Sequence, residues 1–328
     1  MRCAVIGCGH VGLELARLLT GAGHVVVGTT TTPGRVAELA AVCAEVVVLR
    51  GSDRAAVARA VEGADAVVLT VGPRLARAVD AAAREAEYTD TLVTTARTAA
   101  AVHDRVVFAS SGSVYGSGVS KDAAPSDGGG RAAPGDLVDA DDGDGSSTGA
   151  GADGYESSTG AGADGDGHST GAGAVLDESS PTTDSPDPSP RSYLAAERAV
   201  LSAPGGAVVR IPDVHGHPAD LDYPARVRFA HSHLGGAVPF AADALLYRID
   251  YRDAAAALAF VVTEGLTGVY NAYPDAETPP TNAEAFAAIC DAEGLPRLTY
   301  RSQIRLPVVP VSSARLRAAG FRFGEDTR

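Results

Sequence analysis

Lysine is almost missing from this chain. Of its 27 basic residues only Lys121 is a lysine, so any role that needs an ordered ammonium elsewhere has no residue to fill it. Long apolar runs are missing too. Hydrophobic residues make up 45% of the sequence, yet no run approaches the ~20 residues that a membrane-spanning helix needs. The four cysteines, Cys3, Cys8, Cys43 and Cys290, form neither a C-x-x-C pair nor a dense framework. That excludes a disulfide scaffold and the usual thiolate zinc sites, and it fits scattered buried thiols in a reducing compartment. No basic segment followed by a long apolar stretch opens the sequence, so a secretory signal is not expected and the expected location is cytoplasmic. Excess positive charge is absent as well. With a net charge of −14, neither nucleic acid nor an anionic membrane is an expected partner.

The acidity is local. Residues 117–190 hold 15 acidic side chains against Lys121 and Arg131, which leaves the rest of the chain close to neutral. This stretch consists largely of Gly, Ala, Ser, Asp and Pro, and it contains an 11-residue repeat: Ser146–Glu156, Ser157–Gly167 and His168–Glu178. It has too little apolar surface to offset the entropy of ordering it, so a solvated, disordered insertion is expected.

The remainder alternates between short β-branched runs and helical patterns. Strands are expected at Cys3–Gly7, Val25–Gly28, Val46–Leu49, Ala66–Val71, Val106–Ala109, Ala207–Ile211, Tyr247–Asp250 and Val269–Ala272. Helices are expected between most of them, including Val11–Leu19, 33–43, 53–61, 75–87, 89–102, Ser192–Leu201 and 253–262. Thr281 and Glu284 form a capping box ahead of a helix over 283–292, and a last short helix covers 313–319. The fold class is α/β: a doubly wound parallel Rossmann sheet with a smaller C-terminal α/β substrate lobe and a long disordered insertion. The expected organisation is a dinucleotide-binding core at 1–116, the insertion at 117–190, and the rest of the core with the substrate lobe at 191–328.

Gly7-Cys8-Gly9-His10-Val11-Gly12 is a G-x-G-x-x-G between the first strand and the first helix. Gly7 permits the tight turn, Gly9 lets a pyrophosphate approach the backbone, and Gly12 lets helix and strand pack closely. His10 and Val11 lie in the same turn, and the helix N-terminus offers free N–H groups to the phosphates. Where NAD-specific folds place an acid to hold the ribose, this chain has Thr29-Thr30-Thr31-Thr32-Pro33-Gly34-Arg35. Hydroxyls and a cation there favour NADP(H) over NAD(H).

Phe108-Ala109-Ser110-Ser111-Gly112-Ser113-Val114-Tyr115-Gly116 resembles the S-S-x-x-V-Y-G stretch of extended short-chain dehydrogenases/reductases, the NAD(P)-dependent epimerase/dehydratase group. Arg210 to Gly216 is similar to that family's R-x-x-x-x-Y-G, Arg248 to Asp253 to its R-I-H-V-D-D, and Gly268 to Asn271 to its G-x-Y-N. The G-x-G-x-x-G spacing points to an atypical subgroup, similar to the nucleoside-diphosphate-sugar epimerase-like proteins. The resemblance implies a catalytic Tyr193 acting as general acid/base while hydride moves to or from the nicotinamide, with Ser111 hydrogen-bonding the same substrate oxygen. It also places Val71, Gly72, Ser110, Tyr193 and Ile211 along the cofactor. The family's lysine, four residues after the tyrosine, is Glu197 here. A carboxylate one turn from Tyr193 favours the protonated phenol, although it can still accept hydrogen bonds from ribose hydroxyls.

Two functions follow. One is an NADP(H)-dependent oxidoreductase, epimerase or dehydratase acting on a small polar substrate of nucleotide-sugar type. The other is a non-catalytic NAD(P)-binding redox sensor or scaffold that has lost the catalytic lysine. Both imply a small-molecule ligand and leave a homodimer open. The pairs His215/His217 and His231/His233 would share a strand face as zinc ligands do, but no Cys or acidic ligand is spaced with them, so no metal is expected.

Overall fold

β-Branched and small apolar residues in runs of four to six form the centre of the molecule. The computed structural model describes residues 1–74, 80–118, 174–274 and 278–324. The first half contributes strands β1 (Arg2–Ile6), β2 (Val25–Thr30), β3 (Glu45–Val48), β4 (Ala66–Leu69) and β5 (Val106–Ser111). Helices α1 (His10–Gly21), α2 (Val36–Ala40), α3 (Arg54–Ala60), α4 (Ala81–Tyr88) and α5 (Thr95–Ala100) alternate with them. After the insertion come α6 (Pro188–Leu201), β6 (Ala207–Ile211), β7 (Asp213–His215), α7 (Tyr223–His233) and β8 (Ala237–Phe240). The chain ends with β9 (Arg248–Asp250), α8 (Tyr251–Thr263), β10 (Gly268–Asn271), α9 (Asn282–Glu293), β11 (Thr299–Ile304) and α10 (Ala314–Ala318).

The main sheet has seven parallel strands in the order β10-β6-β5-β4-β1-β2-β3. The order reverses between β1 and β4, and the glycine turn follows β1 at that switch point, where doubly wound sheets bind ligands. Both faces are covered, as the uninterrupted apolar strands require. Alternate residues separate cleanly: Cys3, Val5, Val26, Val68, Val107 and Val209 pack with α1 and α8. Ala4, Ile6, Val27, Val67, Leu69 and Phe108 pack with α3, α5 and α6 on the other side. β8 pairs with β11 and β7 with β9 in two small sheets, and α7 and α9 join β8 and β11 around Val227, Val238, Phe286 and Cys290. Among the described residues no helix is long and apolar enough to cross a membrane.

Two expectations change. Residues 119–173 of the expected insertion lie outside the described residues, but 174–190 are anchored to the fold, with Leu176 and Pro190 buried and the rest exposed or half-buried. Leu176 is buried, its N–H donates to Pro310 C=O, and its carbonyl accepts from Ser312 N–H. Helix α6 then starts at Pro188, capped by Asp187, four residues earlier than the sequence pattern indicates. The stretch after Pro212, loose in sequence, contains the well-formed helix α7, whose N-cap Asp222 accepts from Ala225 N–H.

Candidate functional site

The glycine turn is built by three glycines with three different reasons. Gly7 has φ +97, and a Cβ there would stand 2.8 Å from Val71 Cγ1. A Cβ on Gly12 would collide with Gly7 O and Thr70 Oγ1. At Gly9 the Cβ direction is open space. The turn is braced from neighbouring strands: Gly7 N–H donates to Thr29 Oγ1 (3.0 Å), Cys8 N–H to Thr29 O (2.9 Å), and Thr70 Oγ1 to Gly7 O (2.7 Å). The first helical bond runs from Leu13 N–H to Gly9 O. The amides of His10, Val11 and Gly12 therefore precede it and are the ones a helix leaves for an external acceptor. No acidic residue stands in that first turn.

Thr29 and Thr30 are buried, and each hydroxyl has a structural use. Thr29 braces Gly7, and Thr30 Oγ1 accepts from Thr32 N–H. Only Thr31 of the expected three is exposed. Arg35 reaches back to the turn, with Nη1 on Cys8 O at 2.7 Å, while its Nε and Nη2 hold Glu38. The Arg35 guanidinium keeps the Glu38 carboxyl below the usual carboxylate range. Arg74, which the sequence reading did not single out, places Nη2 3.4 Å from Thr32 Oγ1. Two guanidinium groups thus flank the end of β2. Val71 packs on Gly7, and Gly72 is exposed with open space where a Cβ would stand.

Ser110 and Ser111 end β5, with Ser111 beside Ile211 of β6. Ser111 Oγ caps the following turn by accepting from Ser113 N–H at 3.1 Å. Tyr193 is half-buried on α6 and stacks on Phe108, ring centroids 6.1 Å apart. Glu197, one turn on, is not placed for a ribose. It is 3% exposed, and its Oε1 accepts from Ser110 Oγ (2.6 Å) and Arg210 Nε (3.0 Å) while Oε2 accepts from Arg210 Nη2 (2.8 Å). The physical reason is that a buried carboxylate needs a cation, and β6 supplies one. Burial works against the Arg210 charge, but Glu197 more than compensates and raises its pKa. Arg210 also lies over the Tyr115 ring at 4.9 Å, and Tyr115 Oη is 2.8 Å from Asn271 Oδ1. The pair as a whole is neutral, so Tyr193 does not face a bare carboxylate.

The histidine pairs do not act as pairs. His231 and His233 lie on helix α7, two residues apart, so they point in different directions. His217 instead stacks on His10, with centroids 3.5 Å apart and planes 9° from parallel, and His10 Nδ1 lies 3.2 Å from Asp220 Oδ1. These three residues bring potential ligand atoms within 4.8 Å of one another. Parallel rings, however, aim their in-plane lone pairs alongside each other rather than at one point, and Ala219 N–H already donates to His217 Nδ1. The loop after β7 is thereby held against the first turn of α1.

A small cavity of about 90 Å³ adjoins the ends of β5 and α6, lined among others by Ser113, Ser189, Pro190, Gln303 and Arg305. A larger open depression of about 420 Å³ lies on the outer side of α5 and α6, and none of the residues considered for cofactor or chemistry lines it.

Residues 3–129 match the model of the NAD dependent epimerase/dehydratase family. The resemblance carried by the glycine turn and by Phe108 to Gly116 is thus borne out, and the motifs from Tyr193 onward lie beyond the matched residues. No curated protein matches the sequence. Among solved structures the chain is similar to DesIV, a dTDP-glucose 4,6-dehydratase from Streptomyces venezuelae with NAD and TYD bound, with TM-score 0.62 and 20% identity over 98% of this chain and 92% of that one. It is also similar to a UDP-glucose 4-epimerase from Thermus thermophilus in complex with NAD, with TM-score 0.59 and 18% identity over 100% of this chain and 96% of that one. WbmG from Bordetella bronchiseptica, likewise with NAD, gives TM-score 0.60 and 15% identity over 100% of this chain and 91% of that one. At these identities the likeness to the epimerase/dehydratase structures is one of fold.

Proposed function

We propose that this protein binds a nicotinamide dinucleotide at the glycine turn and performs epimerase/dehydratase-type hydride chemistry on a small polar substrate of the nucleotide-sugar class. The observation that carries this reading is Gly9. The direction in which any other residue would project a Cβ is empty, at a sheet switch point, beside helix amides whose own first turn contains no acidic residue, Asp220 being engaged on the His10 ring. His10, Val11 and Gly12 would hold the pyrophosphate. Arg35 and Arg74 would meet a 2′-phosphate, which supports NADP(H) over NAD(H), although the structural neighbours were solved with NAD. Val71, Gly72, Ser110 and Ile211 would line the rest of the cofactor.

The bound nicotinamide would supply or accept hydride. Tyr193 would donate its phenolic proton to the substrate carbonyl oxygen, and the Ser111 hydroxyl would hydrogen-bond the same oxygen as charge develops there. With no lysine beside it and with Arg210 matched by Glu197, Tyr193 is better suited to give a proton than to take one, so the reductive direction is favoured. The buried Glu197–Arg210 pair at the family's lysine position also supports a second reading, a dinucleotide-binding sensor without turnover.

Calorimetric titration with NADPH and NADH, followed by a carbonyl-substrate screen at the nicotinamide absorbance, tests both. Expected results are tighter binding of NADPH than NADH, loss of that preference in Arg35→Ser, and turnover abolished by Tyr193→Phe with cofactor affinity intact. No heat with any nicotinamide coenzyme refutes both readings. Binding without turnover on any carbonyl selects the sensor.

A further inference from the structure

Two thiols that lie far apart in the sequence face each other beneath the glycine turn. Cys8 stands between Gly7 and Gly9, and Cys43 follows α2. Their backbones are pinned to β2 on either side of Gly28: Cys8 N–H donates to Thr29 O, and Ala44 N–H, next to Cys43, donates to Val26 O. The two sulfurs converge on the space that Gly28 leaves by having no side chain. A Cβ at Gly28 would stand 2.5 Å from Cys43 Sγ and 3.2 Å from Cys8 Sγ. Both cysteines are free thiols. Cys290, by contrast, is buried in the separate cluster around α7 and α9.

The surroundings distinguish this pair from the other thiols. Cys8 S–H donates to the Cys43 sulfur, and this hydrogen bond holds the Cys43 thiol below its ordinary value although burial works the other way. The same bond pushes the Cys8 thiol up, and burial pushes the Cys3 thiol up. Thiolate character and access decide which cysteine is oxidised first. Cys43 has both. It is 6% exposed against 2% for Cys8, and Ala41 and Ala44 beside it are exposed. Arg35 adds a cation next to the pair, with Nη1 on Cys8 O at 2.7 Å.

We propose that Cys8 and Cys43 are a modification site, a thiol pair that hydrogen peroxide converts to a disulfide and whose oxidation weakens dinucleotide binding. The effect on binding rests on the dinucleotide reading above, whereas the bond itself does not. The Cys43 thiolate attacks one peroxide oxygen and the O–O bond breaks. Cys43 becomes a sulfenic acid, and the released hydroxide takes up the Cys43 proton as water. The Cys8 sulfur then attacks the Cys43 sulfur, the S–O bond breaks, and the oxygen leaves as a second water with the Cys8 proton. The two thiols lose two electrons and the peroxide gains them. A dithiol reverses the step by exchange, becoming a disulfide itself. The sulfurs must close to about 2.05 Å, which draws Cys8 toward the end of α2. Cys8 does not move alone, because Arg35 holds its carbonyl and Gly9, which leaves the phosphates their space, is the next residue.

The full chain is treated with hydrogen peroxide under native conditions, quenched and denatured, and its remaining thiols are alkylated before peptide mass spectrometry. The peptides bearing Cys8 and Cys43 should be joined, Cys3 and Cys290 should be alkylated, and dithiothreitol should undo the link. NADPH is then titrated against the reduced, oxidised and re-reduced chain. Affinity should be at least about tenfold weaker after oxidation and should return on reduction. Cys43→Ala should form no link, and peroxide should leave its NADPH affinity unchanged. These arms on the unaltered chain decide the matter even if that variant fails to fold. No link, oxidation of Cys3 and Cys290 to the same extent, or equal affinity in the reduced and oxidised states would overturn the proposal. A reduced chain that takes up no NADPH identifies a failure of the dinucleotide reading instead. Amide exchange over the glycine turn then decides: slower exchange in the oxidised chain supports a turn locked by the bond, and unchanged exchange overturns it.

Discussion

Breaking the pair between Glu197 and Arg210 is the perturbation that most directly tests how the centre of this molecule is held. The two side chains are 4% and 6% exposed, and the carboxylate receives three hydrogen bonds, two from Arg210 and one from Ser110. Glu197→Leu leaves a guanidinium in the interior without its anion and a serine hydroxyl without its acceptor. Removing one partner of a buried pair costs about 3–5 kcal/mol. Replacing both partners by apolar residues of similar size is often near neutral, so Glu197→Leu with Arg210→Met should recover much of the loss. Arg297–Asp291 is an internal control. Its 2.7 Å contact is as short, but its side chains are 56% and 65% exposed, and such surface pairs contribute about 0.2–1 kcal/mol. Urea unfolding followed by far-ultraviolet circular dichroism suits a chain without tryptophan. A coupling energy of at least about 2 kcal/mol is expected for the buried pair. A buried-pair cycle no larger than that of Arg297–Asp291 would show that Glu197 and Arg210 are not each other's partner in solution.

The glycine turn separates folding from binding. Gly9→Ala should melt like the unaltered protein, because its Cβ enters open space, yet bind dinucleotide at least about tenfold more weakly if the proposed pyrophosphate site is the one used. Gly12→Ala should lower the melting temperature, because its Cβ meets Gly7 O and Thr70 Oγ1. The opposite pattern in the melts would contradict the packing described. Burial holds the phenols of Tyr115, Tyr223 and Tyr273 above their ordinary value of 10.0. Their contribution is therefore complete below pH 10 and is lost as pH rises past it, since the unfolded chain releases those protons first. Stability measured from pH 8 to 11 should fall on the alkaline side, and Tyr273→Phe should flatten that fall. An unchanged slope would refute the assignment.

Much of the sheet is legible because its order follows from local pattern. β-Branched runs separated by helices specify parallel strands, and the capping box of Thr281 and Glu284 forms as the sequence indicates. The glycine turn is legible for the same reason, since each glycine answers a local steric demand. What escaped the sequence depends on residues that meet only in three dimensions. Arg210 reaches Glu197 because β6 runs under α6, and nothing in the R-x-x-x-x-Y-G pattern says where the arginine points. Leu176 follows Val175 in an otherwise polar stretch, and that Leu176 rather than Val175 is buried depends on pairing with Val311, far along the chain. Helix α7 did carry a readable signal, Asp222 followed by Pro224 at the first turn, but the histidines around it obscured the apolar stripe.

The same geometry reverses what the family pattern would lead one to expect of Glu197→Lys. By motif alone, the substitution restores the catalytic lysine and should raise turnover. In this fold it places an ammonium in an enclosed position against the Arg210 guanidinium, removes the only acceptor that group has on α6, and leaves Ser110 Oγ beside two cations. Two unpaired interior charges of one sign are worse than the single one created by Glu197→Leu, so the expected loss exceeds about 3–5 kcal/mol, and the single variant should unfold or aggregate. Lysine becomes tolerable only when the arginine leaves with the glutamate. Glu197→Lys with Arg210→Met should fold. If Tyr193 is the acid/base group, that double variant should gain oxidative turnover at neutral pH, because the cation beside the phenol is then no longer neutralised. A Glu197→Lys protein that melts like its parent would mean that position 197 opens onto the cofactor after all.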